Sequence, residues 1–113
     1  MVKDKYIPGR GDIIWIDLFG AIGHEQNGRR PVVVISPIKY NFRVGLALVC
    51  PITSKPKQYP HEVRLTGTKI TGVILSDQIR SIDWKARKAE FAEHVPPGII
   101  DDVEAKLLTL IQS

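Results

Sequence analysis

The amino-acid sequence predicts a mainly β domain that ends in one helix. Short apolar runs, separated by glycine, proline and polar clusters, recur up to Val95, which is typical of a compact barrel or strongly curved sheet of about five to seven strands. After Pro96 and Pro97, apolar residues recur at helical spacing instead. Because no Ser/Gly/Pro-rich linker interrupts the chain, residues 1–113 are predicted to form a single domain.

The composition limits the class of protein. Hydrophobic residues make up 43% and charged residues 25% of the chain, which excludes a wholly disordered protein. No apolar run has the length of a membrane span or a signal peptide, so we expect a cytoplasmic protein with no membrane partner. The single cysteine, Cys50, excludes an internal disulfide, and its place in the apolar run LALVCP favours a buried free thiol.

The positive charge is concentrated in the body of the chain. The net charge is +4, but residues 1–88 contain fifteen Lys/Arg and seven Asp/Glu, whereas residues 89–113 contain one and five. This asymmetry indicates either a body that binds a polyanion or a surface whose lysines serve solubility. Charge alone does not separate the two.

The first two strands are the clearest elements. Residues 11–18 (GDIIWIDL) alternate, with Ile14 and Ile16 on one face and Ile13 on the other. Residues 30–37 (RPVVVISP) form the second strand, bracketed by prolines that suit strand ends. The glycine-rich, polar residues 19–28 between them are predicted to form a loop, and loops of that length in small domains usually carry function.

The middle of the chain continues in the same manner. Residues 38–45 are predicted to make a short helical turn, residues 46–54 a third strand, and residues 61–65 a fourth after a polar loop. Residues 72–84 are predicted to form one long strand with a bulge near Asp77 and Gln78, where the period of two is lost.

The end of the chain is predicted to contain one more strand, over residues 86–95, and an amphipathic helix. The apolar positions of the helix are Ile99, Ile100, Val103, Leu107, Leu110 and Ile111. Asp101, Asp102 and Glu104 lie near its start, where acids in a first helical turn oppose the positive end of the helix dipole.

Arg30 is the first candidate site residue. It stands directly before Pro31 at the edge of a strand, so its guanidinium is held at a fixed position, and a forked, permanently charged donor there suits a carboxylate or a phosphate. The alternative is an ion pair with a neighbour such as Glu25, which could also be a proton acceptor.

The second polar loop follows the third strand. Thr53 and Ser54 end that strand, as Arg30 begins one, and strand ends of a small antiparallel barrel can meet at one rim. Together with the lysines that follow and Tyr59, they supply phosphate donors and a stacking face for single-stranded nucleic acid. A turn capped by Thr53 and Ser54 is an equally good explanation.

Other kinds of site have no sequence support. His24, His61 and His94 lack metal-ligand spacing, and no nucleophile elbow, P-loop or dinucleotide fingerprint is present. The residues alone therefore predict a small basic β-barrel whose polar rim binds an anion, with no metal and no cofactor.

Four blocks, in this order, resemble the MazF/PemK (Kid) family of bacterial toxins: GDIIWIDL, GHEQNGRRPVVVIS, CPITSKPKQYPHEV and GVILSDQIRSIDW. The resemblance extends from Ile7 to the final helix. It implies the small SH3-like β-barrel with a C-terminal helix that MazF-, PemK- and CcdB-like toxins share. It also implies a homodimeric, metal-independent endoribonuclease that cuts single-stranded RNA, and a cognate antitoxin with an acidic or amphipathic disordered segment.

Carried over residue by residue, the resemblance implies catalytic roles for Arg30 and Thr53 and a proton-transfer role for Glu25. The segments that would line the RNA groove contribute His24, Gln26, Arg29, Ser54, Lys55, Lys57, Gln58, Tyr59, Asp77 and Gln78. His24 replaces the small residue that close relatives place before the glutamate, which leaves open whether a histidine shares the proton transfer. Lys55 adds a charge that bears on the preferred RNA sequence.

Two functions of other classes compete with RNA cleavage. One is a non-catalytic toxin of the same fold that binds a protein target such as DNA gyrase. The other is a peptide-binding module of the SH3 type, which needs clustered exposed aromatics. Aromatic residues make up only 7% of this chain, so the peptide-binding module is the weakest of the three.

Overall fold

The computed structural model describes residues 5–17 and 28–112, and the predicted loop at residues 19–28 falls almost entirely outside them. The described chain contains seven strands and two helices. They are β1 (Asp12–Asp17), β2 (Arg29–Val34), α1 (Ile38–Val44), β3 (Ala47–Thr53), β4 (Glu62–Arg64), β5 (Val73–Leu75), β6 (Arg80–Ile82), β7 (Glu90–His94) and α2 (Pro97–Ile111).

All strand pairs are antiparallel and belong to one sheet in the order β4-β5-β3-β2-β1-β7, with β6 also paired to β3. The predicted fold class, mainly β with a C-terminal helix, is confirmed. The sheet is open, unlike the closed barrel that the sequence predicted: within the described residues, the outer strands β4 and β7 do not pair.

Both faces of the sheet are buried. Ile13 and Val33 belong to a cluster that packs beneath α2, whereas their strand neighbours Ile14 and Val32 belong to a second cluster with Trp84 on the opposite face. Because successive side chains of a strand point to opposite faces, a two-sided core requires continuous apolar runs such as Val32 to Ile35.

The prediction of one long strand over residues 72–84 is wrong. The segment forms two short strands, β5 and β6, which pair with different halves of the same edge of β3. Between them the amide and hydroxyl of Ser76 both donate to the carbonyl oxygen of His61, and the amide of Gln78 donates back to Leu75 at 3.1 Å. These bonds take the groups that a continuous ladder would need.

Helix α2 confirms the predicted helical periodicity, but the predicted acids do not lie in its first turn. The helix begins at Pro97, so Asp101 and Glu104 lie beyond its first turn. They contact Arg10 instead, whose Nη2 lies 2.6 Å from Glu104 Oε1 and 3.6 Å from Asp101 Oδ1. Ile99, Ile100 and Val103 are buried against the first cluster, whereas Leu110 and Ile111 are exposed.

Cys50 is fully buried between the sheet and α2, and burial raises the pKa of its thiol to about 12, with the charge of Asp77 as a smaller cause. Since the thiolate is the reactive form, we expect Cys50 to resist a disulfide reagent at pH 8. It should react completely once guanidinium chloride unfolds the chain. A colorimetric thiol assay measures both. Rapid stoichiometric labelling of the native protein would contradict this burial.

The Glu93 carboxylate on β7 is hydrogen-bonded to the segment that connects β4 and β5. It accepts the backbone N–H groups of Lys69 at 3.0 Å and Ile70 at 2.8 Å, and these bonds lower the pKa of Glu93 below its usual value. A carboxyl group with a lowered folded-state pKa stabilises the fold above its unfolded pKa, and this contribution disappears as the pH falls through the folded value.

Glu93→Gln is therefore expected to lower the free energy of unfolding at pH 7, and the difference from the parent should shrink steadily as the pH falls below about 4. Urea unfolding across this pH range measures the effect. Asp102→Asn, on the exposed side of α2, serves as the control and should show no such convergence. A Glu93→Gln deficit that is constant with pH would contradict the role of the charge.

No helix within the described residues is both long enough and apolar enough to span a membrane.

Candidate active site

A cavity lies at the ends of β2 and β3, and Pro31 and Pro51 are among the residues that line it. The β2–β3 ladder stops at the Val32–Pro51 pair, because the next pair would be Pro31 with Ile52 and Pro31 has no N–H to donate. The cavity that opens there has a volume of about 360 Å³. Its apolar lining includes Ile16, Val32, Val49 and Ile82 of the second cluster.

Arg30 and Thr53 both line this cavity. In the antiparallel register, Val32 pairs with Pro51, and Arg30 and Thr53 follow two residues farther along their respective strands. They therefore lie on one face at one rim, as the sequence predicted for the two strand ends. Arg30 is exposed at the start of β2. Its backbone pairs with Ile16 of β1, which fixes the Cα from which the side chain extends.

Three further polar residues line the same cavity: Gln78, Arg80 and Arg87. Gln78 was predicted from the resemblance, whereas sequence reasoning missed both arginines. Arg80 lies two residues before buried Ile82 on β6, hence on the same face, and pairs with Val49. The period of two would have placed it at the cavity had β6 been predicted correctly. Arg87 lies in the β6–β7 turn, where no periodic signal exists. Three guanidinium groups around one cavity suit a phosphate.

The loop after Thr53 is held by local hydrogen bonds. Thr53 Oγ1 accepts the N–H of Lys55 at 3.1 Å, which leaves the hydroxyl hydrogen for another acceptor. The Glu62 carboxylate accepts the N–H groups of Lys57 at 2.7 Å and Gln58 at 2.9 Å. The lysine side chains are exposed beside the cavity without lining it.

Tyr59 joins this loop to the β5–β6 turn. Its hydroxyl donates to Asp77 Oδ1 at 2.9 Å, and this bond raises the pKa of the Tyr59 phenol above its ordinary value. Asp77 and Ser54 are exposed and, like Tyr59, lie outside the cavity lining. Ser54 is thus adjacent to Thr53, and Asp77 is adjacent to Gln78. Neither of them lines the cavity, and nor does Tyr59.

Arg29 lies on the side of β2 away from the cavity. Its Nη1 contacts Asp17 Oδ1 at 2.8 Å, and its Nη2 contacts Glu90 Oε1 at 3.0 Å, so its guanidinium is engaged by two carboxylates. The bond to Asp17 is the main cause of a pKa raised above the ordinary arginine value. Alternation along β2 thus separates Arg29 from Arg30 despite their adjacency.

Three predicted residues, His24, Glu25 and Gln26, lie outside the described residues. Among residues 5–17 and 28–112, no three His, Cys, Asp or Glu side chains are grouped so that they could hold a metal ion.

Comparison with known proteins identifies the relatives of this chain. Residues 9–111 match the model of the family described as PemK-like, MazF-like toxins of type II toxin–antitoxin systems. This chain belongs to that family. The match contains both strand ends of the cavity and the whole of α2.

Individual PemK/MazF-like relatives match over almost their full length. The chain is 44% identical over 107 residues to the endoribonuclease toxin MazF of Escherichia coli K12, covering 95% of this chain and 96% of that protein. The crystal structure of MazF from Deinococcus radiodurans superimposes with a TM-score of 0.86 at 41% identity, covering 96% of this chain and 100% of the other. A MazE–MazF structure from the same organism superimposes with a TM-score of 0.85 at 38% identity, covering 96% and 98%.

Proposed function

We propose that this PemK/MazF-like chain is the toxin of a type II toxin–antitoxin system and a metal-independent, sequence-selective endoribonuclease that cleaves single-stranded RNA. The observation that carries the proposal is the cavity where Arg30 and Thr53 meet, joined by Arg80 and Arg87. A neighbouring loop offers exposed lysines and an aromatic ring, which suit a nucleic-acid backbone and its bases.

The chemistry follows from what RNA supplies. The ribose 2′-OH attacks its own phosphodiester, the bond to the 5′ oxygen breaks, and the products carry a 2′,3′-cyclic phosphate and a 5′-OH. Because the nucleophile belongs to the substrate, the protein needs only to orient the phosphate, stabilise the charge on its nonbridging oxygens and move protons.

Each of these tasks has a candidate in the chain. Arg30 bonds the oxyanion that develops on phosphorus, and the Thr53 hydroxyl donates to a phosphate oxygen. Glu25 takes the proton from the 2′-OH, with His24 as the competing group. Lys55, Lys57 and Gln78 contact the RNA on either side of the scissile bond, and Tyr59, held by Asp77, offers its ring to a base.

The remaining partners follow from the same family. We propose a homodimer in the cytoplasm, inhibited by an antitoxin whose acidic or amphipathic segment competes with RNA for the basic body of the chain. Relatives that are named as endoribonucleases give no support to a gyrase-binding toxin, the competing function of the same fold.

A modified substrate tests the reaction directly. The purified protein should cleave an unstructured RNA in EDTA, and a single 2′-deoxy substitution at the scissile nucleotide should abolish that cut while leaving others intact. Primer extension on a long RNA locates the cuts and gives the recognised sequence. Cleavage that survives the 2′-deoxy substitution would overturn the mechanism, and inhibition of supercoiling without RNA cleavage would favour the gyrase-binding toxin.

A further inference from the structure

Arg29 has a function that its adjacency to Arg30 conceals. We propose that Arg29 is a positioning residue: its guanidinium holds the turn between β6 and β7 in place, and thereby fixes Arg87 on the wall of the catalytic cavity. This inference rests on the proposed ribonuclease function for its effect on the reaction, but not for its effect on the turn.

The first observation is the number of acceptors around one side chain. Beyond the Asp17 and Glu90 carboxylates, the Arg29 guanidinium donates to three backbone carbonyl oxygens. These acceptors are Lys88 O at 3.0 Å, Trp15 O at 3.4 Å and Arg87 O at 3.5 Å. Nη1 faces Asp17 and the Arg87 carbonyl, and Nη2 faces the other three acceptors, so the four N–H groups of the planar fork serve five acceptors with at least one N–H shared. The ammonium of a lysine has only three donors and no fork.

The second observation is what those carbonyls belong to. Two of them lie at the end of the β6–β7 turn, where Lys88 has a positive φ of 57°. The turn is closed by the N–H of Arg87 on Asp83 O at 3.0 Å, and the carbonyl of Arg87 also accepts the N–H of Asp17 of β1 at 2.9 Å. Arg29 therefore joins the turn to β1, β2 and β7.

The third observation is the position of the Arg87 side chain. It lines the cavity together with Arg30 and Thr53, although it comes from a turn and not from a strand. A charged group on a turn is a useful electrostatic donor only when its backbone is fixed, because an ångström of misplacement can cost a large factor in rate. Arg29 supplies that constraint from the opposite side of β2.

The kinetics of a double-mutant cycle test whether Arg29 acts through Arg87. Arg29→Met should lower kcat about tenfold with KM within about twofold, because a misplaced Arg87 fails in the transition state more than in the bound state. In an Arg87→Ala background, the same substitution should have no further effect on kcat. Equal losses in the two backgrounds would overturn the proposal, because Arg29 would then act independently of Arg87.

Two more variants separate positioning from charge and from general stability. Arg29→Lys keeps the charge without the fork, so it should behave like Arg29→Met, and full kcat in this variant would overturn the proposal. Arg10 is a matched control: its side chain is also 35% exposed and also contacts two carboxylates, but it faces α2. Arg10→Met should lower stability and leave kcat unchanged, and an equal loss of kcat would count against the proposal.

Salt dependence separates positioning from direct RNA contact. If Arg29 neutralised a phosphate, Arg29→Met would reduce the dependence of log KM on log salt concentration by roughly 0.7, even in the Arg87→Ala background. Positioning predicts an unchanged slope there, and a reduced slope would overturn it.

Amide hydrogen exchange tests the turn without any RNA. In Arg29→Met, exchange at Asp17, Lys88 and Ala89, whose N–H groups bond within or onto the turn, should become at least about tenfold faster than in the parent. Amides of α2 should be unaffected. Unchanged exchange in the turn would overturn the positioning role whether or not the protein cleaves RNA, whereas a parent that fails to cleave would overturn only the proposed function.

Discussion

Arg30→Ala is expected to lower the single-turnover rate of RNA cleavage by about 10²-fold or more while leaving the fold intact. The backbone of Arg30 is fixed by pairing with Ile16, and its side chain lines the same cavity as Thr53. Removal of one preorganised donor to a developing oxyanion typically costs this much. Because the side chain is exposed, its loss should change the free energy of unfolding by less than about 0.5 kcal/mol.

The comparison variants make this result specific. Arg30→Lys retains a positive charge but loses the fork, so its rate should fall between those of the parent and Arg30→Ala. Arg64→Ala removes an exposed arginine of β4 that does not line the cavity, and should cleave at nearly the parental rate. Rates at saturating RNA, with circular dichroism to verify folding, would measure the series. A folded Arg30→Ala variant that cleaves at the parental rate would refute the role of Arg30.

Period-two alternation predicted β1 to β4 well, because each of these strands contains buried residues, whereas β7 has none. β1 is the clearest case: Ile13 and Ile14 are both fully buried, in different clusters, as the alternation requires. The prediction of one long strand failed because its interruption depends on the amide and hydroxyl of Ser76 bonding to the carbonyl oxygen of His61, which a linear pattern cannot place nearby. Local periodicity is recorded in the sequence, whereas these bonds depend on tertiary contacts.

The candidate site shows the same division. Alternation alone indicates that Arg29 and Arg30 point to opposite faces, but not which of them faces the cavity. That choice follows from the partners on neighbouring strands: Asp17 on β1 and Glu90 on β7 engage Arg29. Arg87 was unpredictable for a related reason, since a turn residue reaches a cavity only through the packing of the elements around it.

Gly72 connects the stability of the fold to the geometry of the site. Its φ is 129°, a conformation that residues with a side chain rarely adopt, and an added Cβ would lie 2.3 Å from the carbonyl oxygen of Thr53. The adjacent residue, Val73, pairs with Thr53 in the β3–β5 ladder. A side chain at position 72 would therefore push apart the two strands that hold Thr53 at the rim of the cavity.

We expect Gly72→Ala to lower the free energy of unfolding by about 4 kcal/mol, since backbone strain and overpacking each cost about 1–3 kcal/mol. Two other glycines separate these causes. Gly45 has a φ of 81° but open space around a Cβ, so Gly45→Ala should cost about 1 kcal/mol from strain alone. Gly98, at the start of α2, has neither restriction, and Gly98→Ala should be neutral or stabilising by up to about 1 kcal/mol.

The same series separates a stability effect from a catalytic one. If Gly72 matters only for folding, the Gly72→Ala molecules that remain folded at low temperature should cleave RNA at the parental rate. If the close approach of β5 sets the position of Thr53, those molecules should cleave at least about tenfold more slowly, because the hydroxyl is displaced from the phosphate. Urea unfolding of all three variants, with cleavage rates normalised to the folded fraction, measures both quantities. Equal stability losses in Gly72→Ala and Gly45→Ala would show that the 2.3 Å approach is relieved without moving the strand.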